Sequence, residues 1–207
     1  VPAWILVDTS ASMTLSSVPK SKYAMALQLA GGIAFALLDK VSPVGVLGVG
    51  SREVRFNPSL NRGKVMEWLH DLRRYRFDEV TTLGERLTEL RTRLGSKALV
   101  VVISDMHEPD GVAALKLVGQ EHDVVAIQLR DPAEEGIRGV GFLRGQEAET
   151  GMRFTARGGW QRLDGDAARN SLRRGGVDHL LLRTDQPVAD KLRRFFETRG
   201  LGGGGGR

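Results

Sequence analysis

The chain has 207 residues, 41% hydrophobic and 27% charged, with a formal net charge of +5 and a pI near 9.9. This is an ordinary globular composition, long enough for one domain with a sizeable core. It contains no cysteine, which excludes disulfides, zinc–thiolate sites and thiol nucleophiles.

Ala3 to Val7 (AWILV) is a short apolar run ending at Asp8 and predicts a buried parallel strand. Thr9 to Pro19 is a polar loop. Lys20 to Leu38 is apolar nearly all round, which predicts a helix packed on the sheet. The apolar stretch inside it, Ala24 to Leu38, is too short to span a bilayer. Val44 to Val49 is a second strand. Ser51-Arg52 turns it into Glu53 to Phe56, an alternating strand expected to pair antiparallel as an edge hairpin.

Arg62 to Arg74 and Leu83 to Leu94 are amphipathic helices. Ala98 to Ile103 (ALVVVI) is the clearest buried strand, and it too runs into an aspartate, Asp105. Val112 to Gln120 is a helix. Asp123 to Leu129 is a buried strand stopped by Asp131-Pro132. Phe142 to Phe154 predicts a hairpin turning near Glu149 to Gly151. Asp166 to Gly175 is a helix, Asp178 to Leu182 a strand and Val188 to Thr198 the last helix. Gly202 to Gly206 with Arg207 is a flexible tail.

Strands alternating with helices predict an α/β domain over residues 1–200, followed by the Gly-rich tail at 201–207. Its sheet would be doubly wound, open and mainly parallel, with helices on both faces and one antiparallel edge hairpin. The arginine clusters (Arg73, Arg74 and Arg76; Arg173 and Arg174; Arg193 and Arg194) read as solvated helix faces. Acids are interspersed and no aromatic-rich basic strand is present, so no nucleic-acid partner is expected. No signal peptide is visible, and the chain starts at Val1, almost inside a strand. The expectation is a piece of a longer cytoplasmic protein, with any membrane anchor upstream.

In a doubly wound sheet, ligands bind at the carboxyl ends of strands where the strand order reverses. If the Ala3 and Ala98 strands are neighbours there, Asp8 and Asp105 converge. After Asp8 come Ser10 and Ser12, two apart, so both hydroxyls can point the same way in an extended loop. Val80-Thr81-Thr82-Leu83-Gly84 opens a helix and offers another hydroxyl. These are hard oxygen donors, suited to Mg²⁺, Mn²⁺ or Ca²⁺. Neutral hydroxyls leave the ion much of its charge, so a carboxylate from another molecule is the natural completing ligand. The competing reading is that Asp8 and Ser10 only cap the loop and the following helix.

Asp8-Thr9-Ser10-Ala11-Ser12, Thr81 and Asp105 together resemble the metal-ion-dependent adhesion site of von Willebrand factor A domains. Lys22, Thr82 to Glu85, Val101 to Asp105, and His122 to Ile127 leading to Arg130-Asp131-Pro132 are similar to the DUF58 branch of that superfamily. So are Glu147 to Gly151 and Val177 to Arg199. The resemblance covers the chain to about residue 200, and it is specific because the three parts of the metal motif occur in order.

It implies a von Willebrand factor A-like, Rossmann-like bacterial fold. Asp8, Ser10, Ser12 and Thr81 would bind the metal directly or through water, and Asp105 mostly through water. It further implies a protein-interaction or assembly role beside a MoxR-type AAA+ ATPase, with a partner's acidic residue completing the site. One departure stands out: the family shows glycine before the loop threonine, where this chain has Val80, so Thr81 and Thr82 both stay candidates.

Other residues carry two readings. Lys22 is read as a solvated first-turn lysine, with neutralisation of a nearby carboxylate as the alternative. His107 and Glu108 are loop residues or outer-shell and partner contacts. His122 is structural, and Asp131-Pro132 ends a strand at the metal-bearing edge. Two enzyme classes fit poorly. A haloacid-dehalogenase-type phosphoryl-transfer hydrolase needs a second acid where Ser10 stands, and a serine cannot do that proton work at neutral pH. A receiver domain needs an acidic pair where Asp8-Thr9 stands. No nucleophile elbow or phosphate loop is present. A non-enzymatic module is therefore expected, with a metal-dependent hydrolase or a module with a vestigial site as alternatives.

Overall fold

The computed structural model describes residues 1–74, 76, 78–136, 142–146, 153–157 and 165–199. The strands are β1 (Ala3–Val7), β2 (Val44–Gly48), β3 (Arg55–Ser59), β4 (Leu99–Ser104), β5 (Asp123–Arg130), β6 (Phe142–Gln146), β7 (Arg153–Arg157) and β8 (Val177–Arg183). The helices are α1 (Lys22–Asp39), α2 (Arg62–Leu72), α3 (Leu83–Arg93), α4 (Pro109–Gly119), α5 (Ala133–Gly136), α6 (Gly165–Arg174) and α7 (Ala189–Thr198). A short 3₁₀ turn, Ala11–Thr14, interrupts the loop after β1.

Six strands form one sheet in the order β3-β2-β1-β4-β5-β8, parallel except for β3, which runs antiparallel to β2 at one edge. The central strands are buried on both sides, which explains their unbroken apolar sequences. Successive side chains alternate between faces. Ala3, Ile5 and Val7 of β1, with Leu99, Val101 and Ile103 of β4, meet α1, α2 and α7 on one face. Trp4 and Leu6, with Val100 and Val102, meet α3, α4 and α6 on the other. The chain leaves β1 for β2 on one side, and β4 lies on the other. The strand order therefore reverses between β1 and β4, and their carboxyl ends share the crevice.

Element ends differ from the sequence reading where local chemistry overrides pattern. The edge hairpin is wider than expected: its second strand is Arg55–Ser59, not Glu53–Phe56. The Gly48 N–H bonds Val54 O at 2.8 Å, so pairing begins there and residues 49–53 are used in the bend. Pro58 can sit in this strand because an edge position asks no N–H of it. Helix α4 starts at Pro109, three residues before Val112, since proline is preorganised for a first turn. Helix α5 was not foreseen; Asp131 Oδ1 starts it by accepting the Ala133 N–H at 2.9 Å.

The expected hairpin near Phe142 is present as β6 and β7, paired antiparallel from Phe142 opposite Arg157 to Gln146 opposite Arg153. Its turn near Glu149 to Gly151 and the tail at 201–207 lie outside the described residues. Among the described residues, no helix is long and apolar enough to cross a membrane.

A half-buried polar chain runs across the sheet at Gln128. Gln128 Nε2 donates to Asp105 O at 3.2 Å, and Gln128 Oε1 faces His179 Nε2 at 3.0 Å. A carbonyl can only accept, so the amide nitrogen lies on the Asp105 side and His179 must carry its proton on Nε2. Burial, with the charges of Arg169 and Arg130, pushes His179 down to about 4. An unfolded histidine near 6.5 binds its proton first as pH falls, so folding loses stability from about pH 6.5 down to about 4 and is unaffected by this group above that window. Urea melts of wild type and His179→Gln between pH 7.5 and 4.5 should show a smaller acid loss in the variant.

Candidate metal centre

Strand register brings the two aspartates together. Val7 is opposite Ile103, and the Asp8 N–H donates to Ile103 O at 2.9 Å. Asp8 thus emerges beside Ser104, and Asp105 follows. The Ser104 hydroxyl donates to Asp8 Oδ2 at 2.5 Å, and the Ser10 N–H donates to Asp8 Oδ1 at 2.9 Å. This tight turn after Asp8 brings the Ser10 and Ser12 hydroxyls to 3.1 Å from each other. Asp8, Ser10 and Asp105 are buried, while Ser12 and Thr81 are half-buried.

Thr81 and Thr82 behave differently. Thr82 is turned to the end of β2: its N–H bonds Val49 O at 2.8 Å and its hydroxyl bonds Gly50 O at 3.0 Å. The Thr81 hydroxyl instead donates to Glu108 Oε2 at 3.4 Å, on the loop that carries Asp105. Of the two, Thr81 is the one whose hydroxyl is directed to that loop.

The lysine is the main correction. Lys22 is 2% exposed rather than solvated. Its Nζ lies 2.8 Å from Asp105 Oδ2 and 2.6 Å from Glu134 Oε1. It is the first residue of α1, which packs on the sheet, so its side chain lies against the carboxyl edge and not in water. Burial disfavours the ammonium, but Asp105 and Glu134 outweigh it and lift Lys22 above its ordinary value. Burial also works to raise Asp105, yet Lys22, with His107 and the Ser12 hydroxyl behind it, holds that carboxyl below its usual range. Among the described residues no cation pairs with Asp8, and burial plus the charge of Asp105 push it up.

Around this centre, His107 is 57% exposed, with Nδ1 3.7 Å from Asp105 Oδ2 and Nε2 3.9 Å from Glu134 Oε2. Asp105, His107 and Glu134 offer ligand atoms within 4.8 Å of one another, with the Lys22 ammonium already bonded to two of them. Asp131 does more than end β5: it accepts the Ser17 N–H at 2.8 Å and the Ser17 hydroxyl, pinning the loop after β1.

A further buried acid, Glu79, is 1% exposed and ties the two serine and threonine loops together. The Thr9 hydroxyl donates to Glu79 Oε2 at 2.7 Å, and the Ala11 N–H donates to Glu79 O at 2.8 Å. Arg52 Nε lies 3.2 Å from Glu79 Oε1. Gly50 makes room for this cluster, since a Cβ there would collide with Glu79 Oε2 and Thr9 Oγ1.

Sequence reasoning missed Glu79, Glu134 and the pairing of Ser104. Adjacency to Asp105 was a usable signal for Ser104. Glu79 and Glu134 sit in ordinary loop sequence with no pattern to mark them.

The donors fit a hard divalent cation. Asp8, Ser10, Ser12, Thr81 and Asp105 offer oxygens only, and Lys22 leaves the Asp8 charge uncompensated, a cost that such an ion relieves.

A sequence profile for "Protein of unknown function DUF58" matches residues 1–173. The chain belongs to the DUF58 family. No curated protein matches it. Among solved structures, this DUF58 chain is similar to the conserved hypothetical protein BatB from Bacteroides thetaiotaomicron. The TM-score is 0.61 at 16% identity, covering 97% of this chain and 98% of that one. It is also similar to the VWA domain of SpRpn10, with a TM-score of 0.55 at 11% identity, covering 93% and 94%. At such identities the likeness is one of fold, and the DUF58 domain is VWA-like.

Lys22→Met should destabilise the domain by about 3–5 kcal/mol, because it strands two carboxylates in a buried setting. Gly50→Ala should cost about 1–3 kcal/mol through overpacking against Glu79 and Thr9. Urea denaturation of the metal-free protein measures both.

Proposed function

We propose that this DUF58 domain is a non-enzymatic protein-interaction or assembly module that grips an acidic residue of a partner through a divalent metal. Asp8, Ser10, Ser12 and Thr81 would hold the ion directly or through water, with Asp105 in its outer shell. Mg²⁺ is the expected ion, with Mn²⁺ or Ca²⁺ as substitutes. The observation that carries the reading is the pairing of two buried carboxylates with a single buried ammonium. Lys22 satisfies Asp105 and Glu134, while Asp8 is held by neutral donors, the Ser104 hydroxyl and the Ser10 N–H.

Bound there, the ion would supply an electrophilic position for an external carboxylate. The chain's own part is to hold the hydroxyl oxygens still and to add little negative charge. A protein partner bearing an exposed Asp or Glu fits this chemistry. The family resemblance points to a MoxR-type AAA+ ATPase as that partner, and hence to a cytoplasmic setting close to a membrane. Hydrolysis is disfavoured because Ser10 stands where a general acid would be needed, and a serine hydroxyl cannot do that proton work at neutral pH.

A rival reading has one observation in its favour: Lys22 already neutralises Asp105, as it would in a domain whose metal site is vestigial. Calorimetric titration of Mg²⁺ and Mn²⁺ into wild type and Asp8→Ala separates the two. The proposal expects saturable binding by the wild type alone, with about 2.7 kcal/mol of added stability at a hundred times Kd. Heat-silent titrations and unshifted melting in both proteins would sink it.

A further inference from the structure

The β4–α4 connection delivers a second carboxylate to the rim of this site. Met106 is buried with φ at 58°, a left-handed conformation that a side chain of its size adopts at a cost. Its N–H is held by the Ser104 hydroxyl at 2.9 Å. Beyond this bend, Glu108 Oε2 accepts the Thr81 hydroxyl at 3.4 Å and the Gly84 N–H at 3.3 Å.

The neighbouring helices fix this placement. Gly84, in the first turn of α3, faces the backbone of Asp110 at the start of α4, and a Cβ there would lie 3.1 Å from the Asp110 carbonyl carbon. Close approach of the two helices therefore holds Glu108 and Thr81 at one spacing. Glu108 is half-buried and forms no ion pair among the described residues.

A threonine hydroxyl that lends its oxygen to a cation points its O–H outward as a hydrogen-bond donor, and the outer partner that accepts it orients the ligand. We infer that Glu108 is a positioning residue of the metal centre: it accepts the Thr81 hydroxyl's hydrogen bond, leaves the oxygen lone pairs of Thr81 free for the ion, and ties the Thr81 loop to the Asp105 loop. This inference rests on the metal reading given above. It also explains how Thr81 can serve with Val80, and not glycine, before it. The anchor is Glu108 and the N-terminus of α3, not a special backbone conformation at residue 80.

The test is titration of Mn²⁺ alone, followed by the electron paramagnetic resonance signal of free ion. The proteins are wild type, Glu108→Ala, Glu108→Gln, Thr81→Ala, Glu108→Ala/Thr81→Ala and Asp8→Ala. Glu108→Ala should weaken Mn²⁺ binding about 10- to 100-fold, the usual range for an outer-shell partner. Glu108→Gln should lose less, because its amide oxygen still accepts from Thr81 and Gly84. In the Thr81→Ala background, Glu108→Ala should add nothing.

Unchanged affinity in Glu108→Ala overturns the inference. So does a loss in Glu108→Gln as large as in Glu108→Ala, or the same loss with Thr81 already removed, since each means that charge alone acts. If the wild type takes up no Mn²⁺, or Asp8→Ala binds as the wild type does, the metal reading itself fails and the inference falls with it. Cooperative melting of each metal-free variant confirms that the fold is retained.

Discussion

A carboxylate placed at the end of a buried strand must find a positive charge or a set of donors, because its desolvation costs several kcal/mol. The β1–β4 register places two of them side by side, Asp8 and Asp105, at the point where the strand order reverses. Much of the surrounding structure answers that demand. Lys22 is drawn out of solvent to Asp105 and Glu134, and the Ser104 hydroxyl and Ser10 amide are spent on Asp8. The answer is lopsided: one carboxylate is paired with a cation, and among the described residues the other is held by neutral donors. That imbalance is what makes the site chemically suggestive, and it separates this cluster from an ordinary buried ion pair.

The loops around the site are braced by groups that are not themselves proposed ligands, and one of them, Glu108, bonds the Thr81 hydroxyl. Glu79, paired with Arg52 and bonded to Thr9, ties the segment before Thr81 to the loop after β1. Asp131 holds Ser17 on the far side of the same loop. Glu108 links the loop after β4 to the start of α3. Each brace joins two connections that are distant in sequence, so the site is a meeting of loops held at fixed spacing by a rigid sheet. Such preorganisation suits a module that must present ligand oxygens without rearranging.

The fold was largely legible because its signals are local. Runs such as AWILV and ALVVVI can only be strands buried on both faces, and their alternation with long amphipathic segments allows few arrangements besides a doubly wound sheet. Boundaries were less legible where one hydrogen bond or one proline decides them. Pro109 moved the start of α4, and the Gly48–Val54 contact moved the start of β3. Helix α5 was hidden because four residues carry no period, and its capping aspartate reads equally well as a strand stop.

The site divides the same way. Asp8, Ser10, Ser12 and Asp105 could be marked as candidates from sequence, because strand ends and spacing along one loop are properties of a linear chain, while Thr81 was marked by the family resemblance with Thr82 beside it. Sequence alone also determined the hard-oxygen character of the donors, since side-chain chemistry does not depend on the fold. Only the tertiary structure decided that Lys22 is buried against Asp105 and Glu134, that Thr81 and not Thr82 is directed to the Asp105 loop, and that Glu79 and Glu108 belong to the assembly. The reason is physical: these pairings join residues 27 to 112 positions apart. Which charge meets which is set by the register of neighbouring strands and the close approach of two helices, and neither is written in any one segment.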